Sequence, residues 1–511
     1  MDRVLILDFG GQYNLLIARR VRAEHLYAEI VRYDRITAEQ IQQAGYGAVI
    51  FTGGPNSVYD ETAPRFDPAI LSLGVPILGI CYGNQLLAYL AGGRIGPAGA
   101  GSEFGKAGLV AEDSPLFTGV PARSVCWMSH NDSVLTLPQG FHSIAHTEAC
   151  PNAAIADDDR RLYGVQFHPE VSHTAFGQQI LRNFLFSVCR LQADWNMEDF
   201  IEQSIERYRR ELAGKRVLLA LSGGVDSAVA AALLHRAIGD RLICIFVDHG
   251  LLRKDEADAI EAAFRSRFGL QLIRVNAEER FFARLNGVTE PEQKRKSIGE
   301  EFITVFAAEA KKLGTIDMLA QGTIYPDVIE SGAGASAVIK SHHNVGGLPA
   351  VLPFAGIVEP LRNLFKDEVR EVGLRLGLPA GLVYRQPFPG PGLAVRILGA
   401  ITPEKRDLLQ QADAILREEI DAALPLTERP NQYFAVLTDQ RSVGVMGDAR
   451  TYGYTVAIRA VSTDDFMTAA WSRLPFDVLE SVSTRITNEV RQVSRVVYDI
   501  TSKPPATVEW E

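Results

Sequence analysis

The sequence predicts an α/β protein: two doubly wound parallel-sheet domains followed by a small α+β domain. Three observations carry this. Val217–Leu221 is a short, wholly apolar run followed at once by Ser222-Gly-Gly-Val-Asp-Ser227 and an Ala/Leu-rich stretch, the order of a buried parallel strand, a tight turn and a helix. The same order recurs at Val75-Pro-Ile-Leu-Gly-Ile-Cys-Tyr-Gly-Asn-Gln-Leu-Leu-Ala-Tyr-Leu90, with Cys81 at the apex of the turn. From Gln386 the composition shifts to Pro387-Phe-Pro-Gly-Pro-Gly392, and helix-like stretches then mix with alternating β-like runs.

Length and composition bound the answer. At 511 residues the chain exceeds what one hydrophobic core holds, so two to four domains are expected. A hydrophobic fraction of 47% and a charged fraction of 22% are ordinary for a globular protein. The net charge of −10 argues against nonspecific nucleic-acid binding without excluding a local basic site. There is no signal-peptide pattern and no apolar run of membrane-spanning length, so a cytoplasmic protein with no membrane partner is expected. Five cysteines, without a CxxC pair, speak against a disulfide framework and against the usual zinc spacings.

In chain order, Arg3–Asp8, Ala28–Arg32 and Gly47–Thr52 read as strands, with a helix over Asn14–Ala23. Strands followed by helices place a site at the strands' C-terminal ends. Gly79-Ile-Cys-Tyr-Gly83 has the form of a nucleophile elbow with cysteine in the serine position, and the helix N-terminus behind it favours a thiolate. A base arrives at Tyr163-Gly-Val-Gln-Phe-His-Pro-Glu170: on a strand, His168 and Glu170 would share a face, with Glu170 orienting the imidazole. Gly53 and Gly54, before Pro55, supply backbone N–H groups suited to an oxyanion. Trp195–Leu212 is an amphipathic connector.

The loop Ser222, Gly223, Gly224, Val225, Asp226, Ser227 suits a phosphate: two glycines for close approach, two hydroxyls, and a helix N-terminus. It lacks the lysine of a Walker A loop, and Asp226 is of the type that holds Mg²⁺ against phosphates. Strands follow at Arg241–Asp248 and Leu270–Asn276, then Gln321-Gly-Thr323 at another strand end. Ser331–Pro349, with Lys340, His342 and His343, reads as a lid, and Lys366 opens a helix facing the same site. Pro403–Ala423 and Leu479–Val490 are predicted helices and Tyr433–Leu437, Gly453–Ala460 and Ser494–Ile500 strands, a sheet suited to a two-fold interface.

Gly-Ile-Cys-Tyr-Gly-Asn-Gln85, Phe-His-Pro-Glu170 and the upstream Gly-Gly-Pro55 resemble a class I glutamine amidotransferase domain over about residues 2–189. That resemblance implies attack by Cys81 on the glutamine amide, with His168 and Glu170 assisting, and glutamine recognition at Gln85 and Met128-Ser-His-Asn-Asp132. Ser222–Ser227 resembles the loop of the N-type ATP pyrophosphatases, and by that resemblance Val247 and Gly322 border the nucleotide. Pro387–Gly392, Lys294-Arg-Lys-Ser-Ile-Gly299, Lys340-Ser-His-His-Asn344 and the terminal Ser-Lys-Pro-Pro-Ala-Thr-Val-Glu-Trp-Glu511 resemble the glutamine-hydrolysing GMP synthetase family. The family implies amination of xanthosine 5′-monophosphate (XMP) to GMP with ATP as co-substrate and Mg²⁺ as cofactor. It also implies XMP contacts at Arg295, Gln432, Lys503 and Glu509, adenylation assisted by the lid and Lys366, and a homodimer. The expected division is an amidotransferase at 1–189, an adenylating domain at 190–386 and a dimerisation and substrate-completing domain at 387–511. Two alternatives stand beside it: an NAD-synthetase-like enzyme with another acceptor, whose reading leaves the terminal motif without a role, and a non-catalytic sensor, which would be expected to have lost Cys81, His168 or Asp226.

Overall fold

The computed structural model describes residues 2–97, 102–332, 354–446, 449–463 and 468–511. The chain divides into two compact units, Met1–Phe200 and Ile201–Glu511.

The first unit runs β1 (Arg3–Asp8), α1 (Asn14–Ala23), β2 (Tyr27–Arg32), α2 (Ala38–Ala44), β3 (Ala48–Phe51), β4 (Ile77–Ile80), α3 (Tyr82–Leu90), β5 (Arg94–Pro97), β6 (Glu103–Ala111), β7 (Arg123–His130), β8 (Asp132–Thr136), β9 (His142–His146), β10 (Ala154–Asp157), β11 (Leu162–Val165) and α4 (Gly177–Asn183). Nine strands form one sheet in the order β2-β1-β3-β4-β11-β10-β9-β6-β7. The first five are parallel, and the other four extend the sheet antiparallel. Val4–Leu7, Ala48–Phe51 and Ile77–Leu78 are fully buried, as expected of strands covered on both faces. The antiparallel half alternates instead: β6 shows partly buried and exposed residues in turn. The strand predicted through His168 ends at Val165, and residues 166–170 form the loop beyond it. Pro169 supplies the reason, since it offers no N–H to a ladder.

The second unit opens with α5 (Met197–Glu211), whose first residues belong to the first unit, and continues with β12 (Val217–Ala220), α6 (Val225–Ile238), β13 (Leu242–Asp248), α7 (Glu256–Ala262), β14 (Gln271–Asn276), α8 (Glu278–Leu285), α9 (Pro291–Lys312), β15 (Met318–Ala320), α10 (Tyr325–Gly332), β16 (Gly356–Val358), α11 (Lys366–Arg375) and α12 (Ala380–Val383). Its sheet is wholly parallel, in the order β14-β13-β12-β15-β16. The chain winds outward from β12 to β14 and then returns to β15 on the other side. That reversal opens a crevice between the ends of β12 and β15, the place where ligands sit in such sheets. Small residues let α11 press on α6: a Cβ on Gly373 would lie 2.9 Å from Val229 Cγ2.

The remaining elements are α13 (Pro403–Ala423), β17 (Gln432–Met446), β18 (Ala449–Ser462), β19 (Ala470–Trp471), α14 (Phe476–Glu489) and β20 (Val493–Asp499). β17 and β18 form a long antiparallel hairpin, with β20 parallel to β18. Both hairpin strands outrun the predicted ones. A register shift between Leu437 and Arg441 lets the pairing resume past polar residues that read as a stop. One hydrophobic core runs from Leu218 and Ile245 through Leu393 and Leu409 to Val456 and Ile486. The Pro/Gly segment is a seam within that core: Leu393 N–H bonds Leu251 O at 2.8 Å and Phe388 packs against the core. Among the described residues no helix is long and apolar enough to cross a membrane.

Candidate active sites

The first site is built at the adjoining ends of β4 and β11. Cys81 follows β4 with φ +51° and ψ −106°, a conformation that L-residues resist, and α3 begins directly behind it. The flanking glycines are required by space. A Cβ on Gly79 would lie 2.4 Å from Gly83 O, and one on Gly83 would lie 2.4 Å from Phe51 O. The Cys81 N–H bonds Val165 O at 2.8 Å, pinning the elbow to β11.

His168 and Glu170 meet through the loop after β11, His168 Nδ1 lying 2.7 Å from Glu170 Oε1. Both are buried, Glu170 completely. Burial alone would push the imidazole pKa down. The Glu170 charge, together with hydrogen bonds to Cys81 and Glu170, outweighs it and holds His168 well above its ordinary value. The interaction with Cys81 puts the imidazole within reach of the thiol. A Cβ on Gly53 would lie 3.5 Å from His168 Cε1 and 3.9 Å from Cys81 Cβ, so this loop's backbone borders both groups; Gly54 packs against Tyr82. Gln85 donates to Asp132 O at 2.7 Å and Cys81 Sγ bonds Ser129 O at 3.6 Å, which ties the 128–132 segment to the elbow.

Gln166, Thr174 and Tyr13 were not singled out from the sequence. Gln166 Nε2 donates to Cys81 Sγ at 3.7 Å, Thr174 Oγ1 donates to His168 O at 2.6 Å, and the Tyr13 ring meets His168 edge-on at 5.2 Å. Gln166 was the most legible of these, because Ile80 and Val165 are register partners and the next residues are Cys81 and Gln166.

The second site lies in the crevice between β12 and β15. Ser227 Oγ donates to Gly224 O at 3.0 Å, and Ser222 Oγ and Ser227 Oγ are 3.0 Å apart, so the loop is cinched by its own hydroxyls. Gly223 has φ +77° and Gly224 precedes α6, leaving N–H groups at the helix start. Gly322 abuts this turn: its Cβ would lie 3.0 Å from Ser227 N. Val247 is buried near the end of the adjacent β13. Lys366, first residue of α11, places Nζ 2.8 and 2.7 Å from the two Asp226 carboxylate oxygens. Lys340, His342 and His343 lie outside the described residues.

Beside the loop stands a cationic wall that sequence reading missed. Arg253, Arg385 and Arg396 approach the Phe388 ring at 4.4, 5.9 and 5.2 Å. Burial first, and repulsion from neighbouring arginines, push Arg385 and Arg253 down to about 9, Asp413 partly offsetting this for Arg253. Both remain charged at neutral pH. Only the three-dimensional fold assembles these residues, from positions up to 143 apart in the numbering.

The residues expected at XMP gather around the end of the chain. Glu509 makes a two-pronged pair with the fully buried Arg396 at 3.0 and 2.7 Å. Arg295 bonds Glu292 and the main-chain oxygen of Glu511, while the buried Lys294 pairs with the Glu511 side chain. Arg459, also fully buried, donates to the carbonyls of Thr501, Thr507 and Val508. Lys503 exchanges backbone hydrogen bonds with Ala469 at 3.0 and 2.7 Å. Gln432 is buried at the start of β17, with its Oε1 lacking a hydrogen-bond partner. Buried cations thus hold the tail in place, where chain ends are ordinarily frayed.

A strained cysteine against a glutamate-bound histidine is amide-hydrolysing machinery, and a lysine-less glycine loop at a parallel-sheet crevice is nucleotide machinery. A chain carrying both falls in the class of glutamine-dependent enzymes that couple the two. The comparisons agree in each part. Residues 5–188 match the family model for class-I glutamine amidotransferases, 196–300 that for NAD synthase, and 418–510 that for the GMP synthase C terminal domain. A protein of Ruminiclostridium cellulolyticum named GMP synthase [glutamine-hydrolyzing] is 58% identical over 511 residues, 100% of this chain and 99% of its own length. One of the same name from Acetivibrio thermocellus is 59% identical over the same coverage. The solved structure of a GMP synthase subunit from Thermoplasma acidophilum is 30% identical, covering 37% of this chain and 94% of its own, with a TM-score of 0.33. The chain belongs to the family of glutamine-hydrolysing GMP synthases.

Proposed function

We propose that this chain converts XMP to GMP, hydrolysing glutamine for ammonia and cleaving ATP to AMP and pyrophosphate. The observation that carries the reading is the Cys81–His168–Glu170 constellation in the same chain as the Ser222–Ser227 loop, within a sequence that matches GMP synthases end to end. Cys81 attacks the glutamine side-chain carbonyl; ammonia leaves, a glutamyl thioester remains, and water clears it to glutamate. His168 carries the proton between thiol and leaving nitrogen while Glu170 fixes its ring. Backbone N–H groups at Gly53 and Gly54 face the oxyanion, and Gln85 with residues 128–132 holds the substrate.

In the second unit, Ser222–Ser227 cradles the ATP phosphates, with Val247 and Gly322 bordering the nucleotide. The XMP C2 oxygen attacks the α-phosphorus, pyrophosphate leaves, and ammonia then displaces AMP from C2. Arg295, Gln432, Lys503 and Glu509 are the proposed XMP contacts, and Lys340, His342, His343 and Lys366 the proposed adenylation group. The donor set fits Mg²⁺: Asp226 gives a hard carboxylate, Ser222 and Ser227 hydroxyls stand beside it, and phosphate and water complete an oxygen shell. When bound, Mg²⁺ neutralises phosphate charge. Lys366 must then release Asp226, and its ammonium becomes available to the phosphates.

We further propose three functional parts at 1–189, 190–386 and 387–511, a cytoplasmic location, and a homodimer without nucleic-acid partners. Exposed Val443, Val445 and Tyr452 on the β17–β18 hairpin support self-association. The NAD-synthetase-like alternative loses ground because 418–510 matches a GMP synthase domain. Incubation with XMP, ATP, Mg²⁺ and glutamine should give GMP, AMP, pyrophosphate and glutamate in equal amounts. AMP formation without XMP, or with another acceptor in its place, refutes the assignment.

A further inference from the structure

Outside both sites, β6 and β7 bring together an unused buried cluster. Glu103 opens β6 and His130 ends β7; the two are direct cross-strand partners. Cys150 lies in the turn after β9, and one ligand-type atom from each of the three residues falls within 4.8 Å of the others. His130 is 4% exposed and Cys150 1%. His130 Nδ1 lies 3.1 Å from Asp132 O, an oxygen that can only accept, so Nδ1 carries the proton. The Nε2 lone pair then points at Glu103 Oε2 from 3.7 Å and has no hydrogen-bond partner. Two electron-pair donors face each other across a distance too long for a hydrogen bond. It is the separation expected of two ligands sharing a tetrahedral metal, roughly 3.5 Å for bonds near 2.1 Å. The surroundings match a metal's outer shell as well. Thr147 Oγ1 donates to both Glu103 oxygens at 2.9 and 2.8 Å and accepts from the Cys150 N–H at 2.9 Å, while Asp132 O fixes the imidazole.

We propose that Glu103, His130 and Cys150 form a binding site for a divalent cation of borderline softness, Zn²⁺ being the type, with a fourth position open to water. Nitrogen, oxygen and sulfur donors together select zinc-like ions over Mg²⁺ or Ca²⁺. On binding, the Cys150 thiol proton passes to solvent, and thiolate plus carboxylate balance the two charges of the ion. Burial pushes the metal-free Cys150 thiol up to about 12 and holds His130 below its ordinary value, so the empty cluster carries one negative charge. The site lies one residue from Ser129, whose carbonyl meets Cys81 Sγ. The usual CxxC and HxxxH spacings do not signal it, because its three ligands come from separate elements.

The test uses the full-length, metal-stripped Cys81→Ala protein, which removes the other thiol able to pair with a histidine. Titration with Co²⁺ should give one equivalent of tetrahedral complex with a thiolate-to-cobalt charge-transfer band, displaced by Zn²⁺. Cys150→Ser should abolish the band, and Glu103→Gln should weaken Co²⁺ binding about 10-fold or more. Circular dichroism of the metal-free variants checks folding. If Cys150→Ser does not fold, the part-exposed Glu103→Gln decides. Absence of the band, its survival in folded Cys150→Ser, or unchanged affinity in Glu103→Gln overturns the proposal.

Discussion

The elbow at Cys81 and the loop at Ser222 sit on similar strand–turn–helix units but are finished in opposite ways. At the elbow every functional group is already bonded to its working partner: Glu170 to His168, His168 to Cys81, Gln85 to the 132 carbonyl. At the loop the charged groups are bonded to substitutes. Lys366 holds Asp226 where a metal and phosphates are proposed, Arg396 holds Glu509, and Glu511 holds Arg295. A site for a small neutral amide can be built rigid. A site for two highly charged nucleotides must neutralise its charges while empty and exchange those pairs on binding, because an unpaired buried charge costs several kcal/mol.

The largest effect expected from this contrast is on Cys81→Ala. Glutamine-dependent GMP formation should fall by roughly 10⁴-fold or more, since no nucleophile remains. Ammonium salt at pH ~8.5, where more of the pool is unprotonated, should still support synthesis. Full activity with glutamine makes Cys81 a structural thiol; a folded protein dead with ammonia joins the two sites into one.

Asp226→Asn comes next. It should reduce AMP release by about 10²–10³-fold while leaving glutamine hydrolysis measurable, the range typical of losing one charge-stabilising group. Ordinary AMP release from this variant removes Asp226 from the metal site.

A smaller loss is expected at Glu170→Gln, with glutaminase activity falling about 10²-fold. NMR titration should show the His168 pKa dropping, since the charge that raises it is gone. The stability sign follows. A histidine raised on folding contributes stability present in full below its unfolded value of about 6.5, lost as pH rises through the folded value. The variant should therefore lose stability chiefly on the acidic side. An unchanged His168 titration detaches Glu170 from the imidazole.

The subtlest test separates binding from anchoring in the tail. Deleting residues 501–511 should raise the XMP requirement far more than that for ATP. It also strips partners from Arg396 and Lys294, and breaking one such buried pair costs about 3–5 kcal/mol. Glu509→Gln is the sharper probe, read by XMP KM alongside melting temperature. A raised XMP KM at nearly unchanged ATP KM supports a binding role. A fall in melting temperature with both KM values unmoved leaves Glu509 an anchor for Arg396 only.

Whatever depends on neighbours along the chain was legible in the amino-acid order. Apolar runs, glycine turns and the helices behind them placed Cys81 and Ser222–Ser227 correctly at strand ends, because strand, turn and helix are set by local sterics and hydrophobic patterning. The same patterning located α13, α14 and the strands of the last sheet, though it stopped both hairpin strands short at polar residues that tertiary pairing carries through. Pairings across distance came only with the folded chain. Folding moved His168 and Glu170 off the strand into a loop, set Gln166 beside Cys81, gave Lys366 to Asp226 and drew three arginines around Phe388. It also turned the Pro/Gly segment from a break into part of a continuous core. One cause is common to all of these. Such contacts are fixed by strand order and burial, and a residue's electrostatic partner in a folded chain is whichever group shares its desolvated space, however far away in sequence.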